Sequence, residues 1–118
     1  MKLATFENPI WYESIRLLKK MKKPFWKRVL ELANKTRRKR IRVNIYKINK
    51  YAKEGKIIII PGKLLGGERL KHKIKIIAID ASKKVREHIK TTGGEFIYLK
   101  DFLKNINEIK YSDLMIIR

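Results

Sequence analysis

The sequence contains no cysteine. That removes every thiolate zinc site and every disulfide framework, and with the latter the usual means of stabilising a small secreted domain. Histidine is scarce, with two in 118 residues, so an imidazole-based catalytic or metal centre has little to draw on. Acids are few: 11 Asp and Glu stand against 31 Lys and Arg. A two-metal hydrolase or nuclease needs several carboxylates, and residues 1–73 hold only five acids. Long apolar runs are missing. No uninterrupted aliphatic stretch exceeds Ile57–Ile60 in length, far below the roughly 20 residues that span a bilayer. The opening residues, MKLATFENP, lack the apolar core of a signal peptide. The expected compartment is the cytosol, a nucleoid or a nucleolus.

What is present is charge of one sign. The formal net charge is +20, and repulsion on that scale opposes compaction unless a polyanion neutralises it. Nucleic acid and anionic membrane are the two candidates. A hydrophobic share of 44% is enough for one buried core and too much for a disordered tail. The charge is uneven. Residues 1–73 carry 22 basic and 5 acidic side chains, net +17, whereas residues 74–118 carry 9 and 6, net +3. Such asymmetry points to a docking surface rather than a uniform coat.

Along the chain, Asn8 and Pro9 read as the cap and first position of a helix. Trp11, Ile15 and Leu18 recur at helical spacing, with Arg16, Lys19, Lys20 and Lys23 on another arc. Pro24 sets the limit of that helix. A second helix follows, with Trp26, Val29, Leu30 and Ala33 inward. Ile41, Val43 and Ile45 alternate with Arg40, Arg42 and Asn44, the pattern of a short strand. Asn44 is a candidate cap for a helix over about 45–53, stopped by Gly55. Ile57–Ile60 reads as a buried strand ended by Pro61-Gly62. Ile74–Ile79 is another strand. Ser82 caps a helix to about Thr92, ended by Gly93-Gly94. A strand at Phe96–Tyr98, a helix through Leu99, Phe102, Leu103 and Ile106, and a closing strand at Leu114–Ile117 complete the pattern. Continuous apolar strands alternating with helices predict an α/β domain over 41–118, its strands buried on both faces. Residues 1–40 read as basic N-terminal helices and an arm, the whole forming one compact unit.

The strongest local signal is Lys35–Arg42, with six basic residues in eight and no acid. This density suits phosphate neutralisation, in which Arg makes forked contacts; a solvated charge run or a nuclear-localisation patch is the plainer alternative. The segment Pro61–Gly67 resembles a nucleotide loop only superficially. Six residues separate Gly55 from Gly62 where a P-loop has four, and Leu64 stands where Ser or Thr would meet magnesium. With Lys63, Arg69, Lys71 and Lys73 around it, the segment is a candidate RNA contact as well as a tight connection. His72 and His88 have no metal-ligand neighbours and read as surface or RNA-facing. Asp80 followed by Ser82 is explained by turn and cap chemistry. Ser14, Ser82 and Ser112 lack a nucleophile elbow. Trp11, Tyr12, Phe25 and Trp26 are candidates for stacking on bases, although aromatics at helical spacing more often form core.

Read together, these residues resemble the archaeal and eukaryotic large-subunit ribosomal protein family L-eighteen-e, a relative of bacterial ribosomal protein L-fifteen. The resemblance runs through Trp26–Val29, Arg37–Arg40, Val43–Tyr51, Gly55, Ile58–Gly66, His72-Lys73, the strand around Ala78, Gly93–Glu95 and the closing Ile116–Arg118. The Pro-Gly-Lys-Leu-Leu-Gly segment after a strand is its most specific part. Asn107–Asp113 departs from the pattern. The resemblance implies an irregular β-β-α superhelical domain and a non-catalytic structural constituent of the large subunit, in the cytoplasm, binding large-subunit rRNA beside neighbouring ribosomal proteins. It implies no cofactor, metal, membrane or small-molecule substrate, and no homo-oligomer. The basic positions that match are Lys27, Arg28, Arg37, Arg38, Lys39, Arg40, Lys47, Lys50, Lys63 and Lys73. The residue-level reading adds Arg16, Lys19, Lys20, Lys35, Arg42, Arg69, Lys71 and His72 as RNA-facing. Three other readings share the charge: a DNA-binding architectural protein, a small RNA-processing enzyme, and a membrane-surface protein using the first basic helix.

Overall fold

The computed structural model describes residues 9–53, 55–67, 69–106 and 109–118. Asn8, the expected cap of the first helix, lies outside them. Among these residues ten regular elements follow one another: α1 (Pro9–Lys19), α2 (Pro24–Ala33), β1 (Ile41–Asn44), α3 (Ile45–Tyr51), β2 (Ile57–Leu65), β3 (Lys75–Ala81), α4 (Lys83–Thr91), β4 (Glu95–Tyr98), α5 (Leu99–Lys104) and β5 (Leu114–Ile116). Short 3₁₀ turns at Arg37–Lys39 and Tyr111–Asp113 precede β1 and β5. The α/β class with two N-terminal helices is as expected, and β2, β3 and α4 follow in the β-β-α order.

All strand pairings are parallel. The path is β1-β2-β3-β4, with β5 also on β2. β5 pairs with Ile57–Ile59 and β1 with Gly62–Leu65, so two strands share one edge of β2 in succession. Side chains alternate across the sheet. Ile58, Ile60, Leu64, Ile76 and Ala78 enter one cluster with α3 and α4 residues Ile45, Ile48, Val85 and Ile89. Ile59, Ile77 and Ile79 enter a second cluster with Trp11, Ile15, Leu18, Trp26, Val29 and Ala33 of α1 and α2, and Leu99 and Leu103 of α5. The result is three layers: helices, sheet, helices.

Pro61-Gly62 was expected to end the strand, yet β2 runs through it to Leu65. The reason is local. Proline lacks an N–H for the ladder, but Pro61 sits between the stretch paired with β5 and the stretch paired with β1. The register with β3 also shifts between Ile60 and Lys63. The missing donor therefore falls at a gap in the ladder. Gly62 is required there by close approach: a Cβ on it would run into the carbonyl group of Ile41.

The caps at both central helices act as read. The Asn44 side chain accepts from the Tyr46 N–H at 3.0 Å, and the Ser82 hydroxyl accepts from the Val85 N–H at 3.4 Å. Gly93, at φ +85°, closes α4, with the Gly94 N–H reaching the Ile89 carbonyl. α1 stops at Lys19, earlier than the proline required, and Pro24 instead begins α2. α3 likewise stops at Tyr51, two residues before the expected end.

Substituting Gly62→Ala should force β1 away from β2. A loss of about 3 kcal/mol or more is expected, read as a lowered urea midpoint with native-like helix content retained at zero denaturant. A change below about 0.5 kcal/mol would mean that β1 moves freely.

Candidate nucleic-acid interface

The tryptophans are not free to stack on bases. Trp26 has no exposed surface and Trp11 has 2%. The Trp26 indole donates to the Tyr111 hydroxyl at 3.0 Å and meets the rings of Phe25, Phe102 and Tyr111. Trp11 donates to the Ala33 carbonyl at 3.3 Å, tying α1 to the end of α2. These aromatics are the core of one helix layer. Among the described residues the exposed large aromatics are Tyr12, Tyr46 and Tyr51.

The expected RNA-facing cations fall into three groups. The first surrounds β1. Arg38 and Lys39 are exposed on the 3₁₀ turn, with Lys35 half-buried before it; the side chain of Arg37 lies outside the described residues. Arg40 is half-buried, its guanidinium 4.5 Å over the Trp11 ring, so it also fastens the arm to α1. Arg42 is exposed on β1 and is the Cα partner of Lys63 on β2, which in turn partners Asp80 on β3. Paired positions share a sheet face. Arg42 and Lys63 therefore stand side by side, although 21 positions separate them in sequence. Lys63 was expected in a loop and is instead a strand residue.

The second group gathers where α3 meets the segment 66–74, which crosses from the end of β2 to the start of β3. Two asparagines hold that crossing. Asn44 donates to the Gly66 carbonyl at 2.9 Å. Asn49 donates to the Arg69 carbonyl and accepts from the Lys71 N–H, both at 2.9 Å. Leu70 and Ile74 are buried beneath. The crossing is thus pinned from both sides, and the exposed side chains of Arg69 and Lys71 are presented beside the exposed Lys50, itself 5.4 Å over the Tyr51 ring. Beyond Gly66-Gly67 opens a cleft of about 400 Å³ lined by Ile45, Gly66, Gly67, Arg69, Ser82, Lys84, Val85 and His88. His88, read as surface or RNA-facing, lies on this cleft; Lys84 was not among the expected contacts, and its signal was the cap at Ser82, which begins α4 beside the cleft. His72 is half-buried, and Lys73 lies against Gly93, at the other end of the crossing. Lys47 donates to the Arg118 carbonyl and is partly used inside the fold.

The third group, Arg16, Lys19, Lys20, Lys27 and Arg28, is exposed on α1, α2 and the turn after α1, across the sheet from α3. Arg28 is engaged by Glu31 at 3.0 Å. The acid of α1, Glu13, is turned to α5. A hydrogen bond from Lys104 holds its carboxyl below the usual carboxylate range, helped by the charges of Lys104, Lys100 and Arg16 and opposed by burial. Among the described residues no cluster of three or more His, Asp or Glu could hold a metal ion, and no helix is long and apolar enough to cross a membrane.

Comparison with known proteins shows the family. The family described as ribosomal proteins 50S-L15, 50S-L18e and 60S L-twenty-seven-A matches residues 28–97. The chain belongs to this family. It is 44% identical over 101 residues to "Large ribosomal subunit protein eL18" of Sulfurisphaera tokodaii, covering 86% of both chains. It is 42% identical to the protein of the same name from Sulfolobus acidocaldarius, covering 81% of both. The one from Methanococcus maripaludis is 35% identical, with 87% of this chain and 89% of that one covered. The family match spans the Arg38–Arg42 group, the Asn44 and Asn49 anchors and the whole crossing.

Removing one anchor isolates the role of the crossing. Asn49→Ala hands the Lys71 N–H and the Arg69 carbonyl, both in exposed hydrogen bonds, over to water, an expected cost of about 0.5–1.5 kcal/mol for each bond. Amide exchange at residues 69–71 should accelerate while that of β2 is unchanged. Unchanged exchange at 69–71 would show that the asparagine does not hold the crossing.

Proposed function

We propose that this chain is a structural, non-catalytic constituent of the large ribosomal subunit in the cytoplasm, that it binds large-subunit rRNA, and that it packs beside neighbouring ribosomal proteins. The observation that carries the reading is membership of the ribosomal family over a segment that includes the basic groups around β1 and the pinned crossing. Charge supports it: a net +20 on 118 residues is matched by closely packed phosphates. Groups of cations on both layers fit RNA helices on more than one side of the domain, so that the protein fixes their relative position. Contacts of this kind go mainly to phosphate and sugar. Arg38, Lys39, Arg42 and Lys63 form the first contact in this reading; Lys50, Arg69, Lys71 and Lys84 form the second.

Sucrose-gradient fractionation of native lysate is the direct test. Stoichiometric migration with the large subunit, persisting through a moderate salt wash, is expected; migration with nucleoid DNA or in light fractions would refute the assignment. With purified protein and rRNA fragments, the double substitution Arg38→Glu and Lys39→Glu should weaken binding about tenfold or more and lower the salt slope by about one per lost contact. An unchanged slope would place those side chains away from phosphate.

A further inference from the structure

The edges of the sheet differ in how they are guarded. β1 has Arg40 and Arg42 on its flank, the kind of charge that discourages another strand from pairing there. β4 lies at the opposite edge and, among the described residues, pairs with β3 alone. The Glu95 N–H donates to the Ile74 carbonyl at 3.1 Å. Main-chain groups alternate in direction along a strand. Glu95 and Ile97 therefore face β3, and the N–H and C=O of Phe96 and the N–H of Tyr98 face outward. The segment Gly94-Glu95-Phe96-Ile97-Tyr98 carries no Lys, no Pro and no bulge.

A groove of about 540 Å³ runs along this edge, lined by Arg86, Lys90, Gly94–Tyr98 and Asp101. Its charges balance, two basic against Glu95 and Asp101. This is the part of the chain that carries little net charge, so it offers a phosphate backbone no general attraction. It does offer main-chain hydrogen bonds and an acceptor-seeking cation. The Arg86 guanidinium lies 5.5 Å over the Tyr98 ring, and its Nε is buried with no hydrogen-bond partner among the described residues.

We propose that the open edge of β4 takes an extended segment of another polypeptide as an added strand, with an acceptor oxygen of that segment, most simply a carboxylate, meeting Arg86. Strand addition at an exposed edge draws its affinity from the main chain and its selectivity from the flanking groove. The partner is a second protein of the particle, a point that rests on the assembly proposed above; the unpaired edge and the balanced groove do not depend on it.

Two photo-reactive substitutions in separate tagged copies test this in isolated large subunits: Lys90→p-benzoylphenylalanine at the groove and Arg38→p-benzoylphenylalanine at the basic group. The Lys90 adduct should resist ribonuclease, yield to protease and involve one reproducible foreign peptide; the Arg38 adduct should be ribonuclease-sensitive. Tyr98 has φ −66°, already proline's value. Tyr98→Pro therefore deletes the outward N–H without forcing the backbone, and it should cut the Lys90 adduct about tenfold, whereas Tyr98→Ala, which keeps that N–H, should preserve most of it. Equal loss in both would show side-chain docking without strand pairing. A ribonuclease-sensitive Lys90 adduct, one to a second copy of this chain or to its own residues 1–8, or none, would overturn the proposal. If the Tyr98 variants do not enter subunits, amide exchange at Phe96 and Tyr98 decides: slower in the subunit than in the free chain is expected, and equal rates refute strand addition. Failure of the Arg38 arm alone would sink the RNA reading and leave the β4 result standing.

Discussion

Everything in this molecule depends on two strands that have no face left for water. Ile58, Ile59, Ile60, Ile76, Ile77 and Ile79 are all fully buried, and their side chains leave the sheet in both directions. A strand of this composition is stable only when helices cover both of its faces. α1, α2 and α5 cover one, and α3, α4 and the crossing at 66–74 cover the other. Apolar burial is non-directional and increases with area. It is the term that can hold together a chain whose +20 charge opposes compaction.

The same constraint distributes the charge. With the sheet interior closed, cations are confined to helix backs, strand ends and connections. Arg42 and Lys63 become neighbours because β1 must pair with the second half of β2; Arg69 and Lys71 are held out because Leu70 and Ile74 are drawn in. Hydrophobic burial thus positions the polar chemistry, and the asparagines at 44 and 49 fix the remaining freedom of the crossing. On the other side Arg40 rests on Trp11 and the arm is fastened to α1. Basic residues of this kind act twice, as surface charge and as covers for aromatic rings.

Much of this was legible in the order of residues. Alternation at Ile41–Asn44, caps at Asn44 and Ser82, and the stop at Gly93 each rest on local chemistry, and each is where the pattern places it. Pro61-Gly62 was misread because its meaning is not local: the proline is tolerated where β2 changes partners, a fact about β1 and β5 that no nearby residue carries. The Arg42–Lys63 pairing and the bridge from Asn49 to the crossing were hidden for the same reason, since both depend on register across distant strands. The two tryptophans illustrate the converse. Their spacing allowed core or stacking surface, and only the packing of Tyr111 and Phe102 against Trp26 separates the two.

β5 joins the sheet beside the first half of β2, with the Ile117 N–H bonded to the Ile59 carbonyl. The last strand of the fold is therefore needed at its middle. While a chain is being synthesised, residues 57–59 stay open on one side until 114–117 have emerged, more than fifty positions later. During that interval an isoleucine-rich edge and a surplus of cations are exposed together, beside the nucleic acid of the machine that is making them. Completion of the sheet thus waits on residues far along the chain, and a nascent copy needs shielding while the intervening segment is made.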